Sequence, residues 1–281
     1  MGGSTSLGVI VALVAALVWG SGDFVGGRAA RGRDSYQVLA LVSLSGLAVL
    51  LLCAWVRGEA WPAGAAIAWS AAAGVAGGFG LAALYQGLAI AEAAVVAPTA
   101  AVVGVILPVV IGAVLVGLPT PMQVTGMLAG TAGIWLVARG SSAASDKPRH
   151  GLGLGLIAGV GFGGFFVCMA QVPTGAVFTP LVISKSVATV LGLIVVAARR
   201  LPLLSPRGNP WALLAGVLDA AGNVFYLVAA HLTRLDFAAL VSSMAPAVTV
   251  VLAGAISRQR VALSQWVGVG LCMAGITLIA A

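Results

Sequence analysis

Long apolar stretches alternate with short polar breaks along the whole chain. A helix needs about 20 apolar residues to cross roughly 30 Å of hydrocarbon. Breaks marked by charged residues, proline or glycine divide the chain into stretches of about that length. The pattern therefore predicts ten membrane-spanning helices, at residues 6–27, 36–56, 66–88, 93–116, 122–138, 151–171, 178–198, 211–231, 237–256 and 263–280.

The composition supports this interpretation, since 61% of the 281 residues are hydrophobic and only 7% are charged. Soluble domains carry about 25% charged residues. These values argue against a soluble enzyme, a nucleic-acid-binding protein and a disordered chain. A disulfide scaffold is disfavoured because the three cysteines lie in separate apolar stretches. We expect an all-α polytopic membrane protein.

The second half of the chain repeats the first. An offset of 142 residues pairs Trp69 with Trp211 and, without a gap, Gln123 with Gln265. Each half contains five predicted spans, which is an odd number, so the second half enters the membrane in the opposite orientation. Inverted repeats recur in secondary transporters, whose substrate sites lie near the midplane between the repeats.

The boundary between the halves is marked by a hydrophilic segment. Residues 140–150 are the only long polar connector between predicted spans. We therefore predict a first five-helix repeat at residues 1–139, a linker at 140–150 and a second five-helix repeat at 151–281.

The basic residues lie mainly on one side of the predicted membrane. The other side has only Arg57 and Arg234. Cytoplasmic loops collect Lys and Arg. The bias predicts a multi-pass protein of the cell's cytoplasmic membrane, with both termini outside. The basic side contains Arg28, Arg31, Arg33, Arg139, Lys147, Arg149, Arg199, Arg200, Arg207, Arg258 and Arg260.

Short motifs recur in a fixed order in both halves. Residues 19–24 (WGSGDF) end the first span, and residues 95–99 (VVAPT) lie in the fourth. In the second half, residues 243–249 (SMAPAVT) precede residues 265–268 (QWVG). In this order and spacing the chain resembles the drug/metabolite transporter superfamily, in its bacterial form with two EamA-type domains.

This resemblance implies ten helices, alternating access, and export or uptake of small metabolites driven by an ion gradient or by exchange. The chain departs from the family pattern at residues 116–118 and 258–260, where the usual Gly-Glu-Arg motif lacks its glutamate. The counterpart of Pro246 in the first half is Gly104. The family also implies cytoplasmic termini, opposite to the charge bias, so both orientations remain alternatives.

Three ionisable residues fall within predicted spans: Asp23, Lys185 and Asp219. Each costs about 2.5–3.5 kcal/mol at the bilayer centre, so each should face a cavity or a partner. Asp23 is close to Arg28 and is either an interface anchor or part of a cavity wall. Asp219 lies eight residues past Trp211, about 12 Å deep. We predict that it belongs to a central cavity and pairs with Lys185, with a purely structural ion pair as the alternative.

Polar and acidic residues elsewhere receive weaker predictions. Asn223 lies one turn after Asp219 on the same helix face, so it is a further cavity candidate. The other uncharged candidates, for which helix-to-helix hydrogen bonding is the alternative, are Tyr85, Gln86, Gln171 and Tyr226. We expect no special role for the acidic residues near span ends, which are Asp34, Glu59, Glu92, Asp146 and Asp236.

Proline and glycine mark places where helices bend or approach closely. Pro98, Pro108 and Pro246 each remove a backbone donor, so we predict that they break or bend the fourth and ninth spans as gating elements. A stripe at a spacing of four residues predicts close packing of the sixth span, with a hinge or a groove as the alternative. Its members are Gly151, Gly155, Gly159 and Gly163.

Together these features predict a secondary transporter of a small organic metabolite, such as an amino acid or another neutral or zwitterionic solute. The expected partners are that solute, membrane lipids and a coupling ion such as a proton, in a monomer or a homodimer. The sequence lacks the Gly-x-x-x-x-Gly-Lys-Ser/Thr and His-Glu-x-x-His motifs. We therefore expect no enzyme activity, metal or cofactor. A lipid-carrier flippase or a non-transporting membrane scaffold is the alternative function.

Overall fold

The computed structural model describes residues 2–30, 33–90, 93–139, 151–203, 205–256 and 261–280. These residues form α-helices, one short 3-10 turn at Pro206–Gly208 and no strand. The predicted linker, Glu92 and residues 258–260 lie outside the described residues. The helices are α1 (Gly2–Ala29), α2 (Ser35–Arg57), α3 (Ala65–Ile90), α4 (Ala93–Val116), α5 (Pro121–Arg139), α6 (Leu152–Ala170), α7 (Phe178–Ala198), α8 (Pro210–Leu232), α9 (Leu235–Ser242), α10 (Ala245–Ala255) and α11 (Leu263–Ala280).

The all-helical polytopic fold is confirmed. Within the described residues, nine segments are long and apolar enough to cross a membrane, with α9 and the start of α10 counted together as Leu235–Leu252. The remaining predicted span is α5, which packs along α11. Ten span positions therefore follow one another along the chain, five in each half.

The ninth predicted span, residues 237–256, is two helices rather than one. A two-residue turn of Ser243 and Met244 separates α9 from α10. Pro246 lacks the N–H that would donate to the carbonyl of Ser242, so the regular helical bond at this point cannot form. The break is thus explained by the proline that the sequence had marked.

The fourth span behaves differently. α4 runs without interruption through Pro98 and Pro108, so the break expected there is not present. Pro108 is buried, and α4 packs along α6 over much of its length. This packing supports the helix on both sides of the missing donors. The side chain of Pro98 lies outside the described part of the structure.

The helices pack according to a pseudo-two-fold symmetry between the halves. α1 packs on α8, and the equivalent helix α6 packs on α3. In the same way α3 packs on α7, and the equivalent helix α8 packs on α2. Two further contacts join helices that are equivalent to each other, namely α2 with α7 and α5 with α11. Each main contact therefore has a counterpart, as two inverted five-helix repeats require.

Glycines allow these helices to touch through their backbones. A Cβ at Gly126 would lie 2.9 Å from the carbonyl oxygen of Gly275, and a Cβ at Gly133 would lie 2.7 Å from that of Gly268. The 142-residue offset pairs these same four glycines in the sequence. The repeat signal therefore comes partly from the α5–α11 crossing, where any larger residue would separate the helices.

The glycine stripe of the sixth span also serves packing. A Cβ at Gly155 would meet Thr99 at 2.9 Å, one at Gly159 would meet Val103 at 2.5 Å, and one at Gly163 would meet Leu107 at 2.9 Å. The three glycines of the stripe that belong to α6 therefore lie flat against α4. This contact fixes the position of α6 and of the phenylalanines that follow along its other faces.

Candidate functional site

A cavity of about 720 Å³ lies between the two repeats. Its lining reaches Tyr36 at the start of α2 and Val195 near the end of α7, so the cavity extends toward the end of the molecule that carries the basic loops. At the other end α9 packs between α1 and α4, and all of its residues are buried. The cavity thus extends toward the basic end, and the buried helix α9 packs at the opposite end.

Lys185 and Asp219 form an ion pair in the cavity wall. Lys185 Nζ contacts Asp219 Oδ2, and the two side chains are 15% and 34% exposed. The lysine reaches α8 across α2, where a Cβ at Gly46 would lie 3.2 Å from Lys185 Cε. A glycine on α2 therefore provides the path by which a residue of α7 meets a residue of α8.

Two neighbouring side chains bind the backbone of Asp219. Trp19 Nε1 donates to the Asp219 carbonyl oxygen at 3.3 Å, and Asn223 Nδ2 donates to the same oxygen at 2.6 Å. Both side chains line the cavity. They anchor α8 at the position of the ion pair and leave the carboxylate facing the cavity.

Asp23 also lines the cavity, so the structure places it in the wall. It lies one turn after Trp19 on α1 and is exposed to the cavity. Its neighbour Gly22 packs on α8, where a Cβ would lie 3.7 Å from the amide nitrogen of Asp219. Among the described residues, Asp23 has no hydrogen-bond or ion-pair partner.

Tyr226 is buried behind this wall and does not line the cavity. Its hydroxyl donates to the carbonyl oxygen of Phe166 at 2.7 Å. Its ring stacks on Trp19 with centroids 6.1 Å apart. Tyr226 therefore supports the side chains that face the cavity. Its hydrogen bond to α6 fits the alternative given from the sequence, in which this residue links two helices.

Gln86 lies near the basic end of the molecule, close to the end of α3. Gln86 Oε1 accepts a hydrogen bond from Arg199 Nη2 at 2.9 Å and one from the Tyr36 hydroxyl at 3.5 Å. The Arg199 guanidinium also lies 4.3 Å from the centroid of the Tyr36 ring. These contacts join an end of each of α2, α3 and α7. Of the residues Tyr36, Gln86 and Arg199, only Tyr36 is among the described residues that line the cavity.

Of the other two uncharged candidates, Gln171 does not contribute to the cavity wall that the structure describes. Gln171 follows the last residue of α6, and its Nε2 donates to the carbonyl oxygen of Val167 at 3.4 Å within the same helix. Tyr85 lies within α3, but its side chain is outside the described part of the structure. Pro246, in contrast, lines the cavity beside the α9–α10 turn.

Glu59 has a role that the sequence did not suggest. Glu59 Oε1 accepts from the amide of Val177 at 3.0 Å and from the amide and hydroxyl of Thr179 at 2.7 and 2.9 Å. These groups form the start of α7, so a carboxylate of one repeat caps a helix of the other. Burial raises the pKa of the Glu59 carboxyl, but the hydrogen bonds lower it more, so the pKa lies below its usual value.

Asp236 is likewise not a free interfacial group. It is fully buried at the start of α9, with Arg234 Nη2 at 2.8 Å from Asp236 Oδ2. Arg234 Nη2 also donates to the carbonyl oxygen of Gly117 at 2.6 Å, which ties α9 to the loop after α4. In the part of the chain that the structure describes, no group of three or more His, Cys, Asp and Glu side chains is placed to hold a metal ion.

The repeat offset identifies cavity residues that motif reasoning missed. We call Asp23, Lys185, Asp219 and Asn223 the charged wall. The residues at the equivalent positions of the other repeat also line the cavity, and we call them the uncharged wall. In the same order they are Phe165, Ser43, Gly77 and Leu81.

The comparisons with known proteins agree with this architecture. Sixteen chains of solved structures match the chain. One of them, a crystal structure of a protein, has a TM-score of 0.75 and 20% sequence identity, covering 98% of this chain and 96% of that chain. This likeness shows the fold alone. No curated protein matches the sequence.

Two inverted helical repeats around a cavity define a multi-pass membrane protein. The profile of the EamA-like transporter family matches residues 6–139 and 149–281, so the chain belongs to this family. The predicted membership is therefore confirmed. Members of the family are transporters rather than enzymes, and the chain is a membrane transporter of the drug/metabolite superfamily.

Proposed function

We propose that the chain is a secondary transporter that moves a small organic solute across the cytoplasmic membrane by alternating access. The observation that carries this proposal is the ion pair of Lys185 and Asp219 in the wall of a cavity between inverted repeats. Ionisable groups inside a membrane are costly and mark substrate or ion pathways. In transporters built from inverted repeats, such sites lie between the repeats.

The shape of the cavity supports alternating access. It extends to one end of the bundle, and the buried helix α9 closes the other end. The α9–α10 turn at Ser243 lines the cavity, so the break lies where a change at the site can reach the closing helix. Discontinuous helices at the substrate site are a feature of such transporters.

The volume and lining favour a solute of amino-acid size or somewhat larger. Small-molecule sites are typically about 300–1,000 Å³, mostly apolar, with a few placed polar groups. A neutral or zwitterionic metabolite such as an amino acid is the first candidate, with a proton as the coupling ion at the charged wall. Membrane lipids surround the apolar outer faces, where large side chains such as Trp55 and Leu128 are exposed.

The proposal is tested with Asp219→Asn in proteoliposomes, by uptake of radiolabelled amino acids under a pH gradient. We expect folding to be retained and concentrative uptake to be lost, because the amide cannot take up or release a proton. Asp34→Asn is the matched control, since Asp34 is an exposed helix cap outside the cavity and asparagine caps equally well. Its uptake should equal that of the wild type.

Three results would contradict the proposal. Normal uptake by Asp219→Asn would remove the carboxylate from the mechanism. Loss of folding that is rescued by adding Lys185→Met would make the pair purely structural. Scrambling of fluorescent lipids by wild-type protein that moves no solute would favour the lipid-carrier flippase instead.

A further inference from the structure

The charged wall has an uneven charge balance. Lys185 is paired with Asp219, and Asp23 has no partner among the described residues. The cavity wall therefore holds two carboxyl groups and one ammonium group, and the Asp23 carboxyl is the one without a counter-charge among the described residues. In a site of low dielectric an uncompensated carboxylate is unfavourable, so the site gains stability from one positive charge near Asp23.

Aromatic rings lie next to this carboxylate. Trp19 precedes Asp23 by one turn and faces the same side of α1. The Trp19 and Phe166 centroids are 6.0 Å apart, and those of Phe166 and Phe165 are 5.8 Å apart. All three rings line the cavity. Aromatic faces beside a carboxylate are the surroundings that bind ammonium groups, including methylated ones.

An anionic solute meets the opposite conditions. Its negative group would have to face Asp23 or displace Asp219 from Lys185 Nζ. Either arrangement places like charges together in a poorly solvated site, which disfavours binding. The remaining lining is mostly apolar, with side chains such as Phe79 and Leu191, so it suits the uncharged body of the same molecule.

We propose that the cavity recognises amphipathic amines, with the ammonium group held between Asp23 and the aromatic rings and the apolar body on the uncharged wall. This inference rests on the proposed function and names its substrate class. A substrate carboxylate is not required for binding, because Lys185 already has a partner. Amines without a carboxylate are thus expected to bind at least as tightly as the corresponding amino acids.

Four probes with one body and different head groups test this. They are phenethylamine, phenylalanine, 2-phenylethanol and 3-phenylpropionate, and binding to the full-length purified chain in detergent is measured by calorimetry. We expect phenethylamine to bind at least as tightly as phenylalanine, and at least tenfold more tightly than the alcohol and the carboxylate. N-methylation of the amine should preserve binding, since the contact is with ring faces as well as with Asp23.

Substitutions at the site separate the charge from the fold. Asp23→Asn should weaken phenethylamine binding at least tenfold and leave 2-phenylethanol unchanged, whereas Asp23→Glu should retain most of the affinity. Phe165→Leu should weaken amine binding about threefold. Size-exclusion chromatography and circular dichroism show whether each variant is folded, and Asp34→Asn is again the control that should bind like the wild type.

The outcomes distinguish this inference from the proposed function. Four results would overturn the amine site while leaving transport of other solutes open. The first three concern the probes: phenylalanine binds but phenethylamine does not, all four bind equally, or none binds. The fourth is an amine affinity that is unchanged in Asp23→Asn. Amine binding that depends on Asp23, in a protein that moves none of these solutes, would retain the site and overturn the transporter proposal.

Discussion

The charged wall and the uncharged wall occupy equivalent positions in the two repeats but differ in chemistry. Lys185 and Asp219 correspond to Ser43 and Gly77, and Asp23 corresponds to Phe165. Both sets line the same cavity. The comparison shows that the two repeats share a backbone architecture, while the charged wall carries the ions of the cavity and the uncharged wall carries its apolar surface. Such a site is polar on one wall and apolar on the other.

The helix crossings beneath the two walls differ in the same way. In the α3–α6 crossing a Cβ at Gly161 would lie 2.5 Å from Gly80 Cα, so backbone meets backbone. In the equivalent α1–α8 crossing a Cβ at Gly222 would lie 2.4 Å from Trp19 Cδ1, so backbone meets a ring. The tryptophan supplies the donor to Asp219 that the glycine at the equivalent position cannot supply.

The largest effect is expected when a charge is placed on the uncharged wall. Gly77→Asp introduces a carboxylate beside Phe165, and the position equivalent to Lys185 holds Ser43 rather than a lysine. Gly77 is half-buried in the cavity wall, so an unpaired charge there costs up to about 3 kcal/mol, the value for a fully buried one. We expect a large fall in the thermal unfolding temperature in detergent, partly restored by adding Ser43→Lys.

Gly77→Asn controls for the shape of this substitution, because its side chain has nearly the same size and no charge. It should unfold closer to the wild type than Gly77→Asp does. Equal stability of the two variants would mean that water reaches Gly77. The two walls would then differ in sequence but not in their ability to hold a charge.

A smaller effect is expected at the helix crossings. Gly161→Ala forces α3 and α6 apart, and overpacking of this kind costs about 1–3 kcal/mol. Gly222→Ala should cost less stability, because it displaces the Trp19 side chain rather than a helix. The two unfolding temperatures are compared with that of Gly192→Ala, where no atom lies within 4 Å of the added Cβ.

Gly192→Ala should be neutral or slightly stabilising, since alanine favours a helix more than glycine does. If Gly222→Ala lowers the unfolding temperature more than Gly161→Ala does, the Trp19 ring is held as rigidly as a backbone. The distinction between the two crossings would then be wrong.

A cap that is present in only one repeat has a smaller effect still. Glu59 caps α7, whereas the equivalent residue in the second repeat is Leu201. Glu59→Gln should lower the stability at neutral pH by about 1 kcal/mol, the usual value of a helix cap. The unfolding temperatures of both proteins are measured between about pH 7 and pH 3.

The sign of the pH dependence follows from the lowered pKa of Glu59 in the folded state. A carboxyl with a lowered folded pKa stabilises the fold above its unfolded pKa, which is about 4.3 for glutamate. This contribution is lost as the pH falls through the folded pKa. The difference between wild type and Glu59→Gln should therefore shrink in acid, and a constant difference would argue against the ionised cap.

Orientation is tested without an expected change in stability. Single cysteines replace Arg207 at the basic end and Leu118 at the other end, in a protein without Cys53, Cys168 and Cys272. Leu118 is 87% exposed. From the charge bias, an impermeant thiol reagent should label position 118 in intact cells and position 207 only after permeabilisation. The reverse pattern would support the family orientation and place the basic end of the molecule outside.

The helices could be predicted largely from the sequence because bilayer thickness sets the length of each apolar stretch. The predicted boundaries of spans such as 178–198 agree with the helix bounds in the structure. Pro246 marked the broken ninth span, but the sequence could not show that α4 would continue through Pro108. That outcome depends on packing against α6, which belongs to the other repeat.

The candidate site was only partly predictable. Asp219 and Lys185 were found because ions are rare inside apolar stretches. Tyr226, Gln86 and Gln171 fit the same description, yet none of them lines the cavity. Polarity within a span therefore indicates that a side chain needs a partner, but it does not distinguish a hydrogen bond to a neighbouring helix from a place in the cavity.

The sequence by itself determined the membrane class, the number of spans and the repeat, because these depend on the hydrophobicity of each segment and on the similarity between segments. Tertiary structure alone decided which ions share a wall. Lys185 meets Asp219 only because Gly46 of α2 leaves room between α7 and α8, and Asp23 faces the same cavity only because α1 packs on α8. These distances depend on close packing between distant parts of the chain, where a single Cβ decides how near two helices can come.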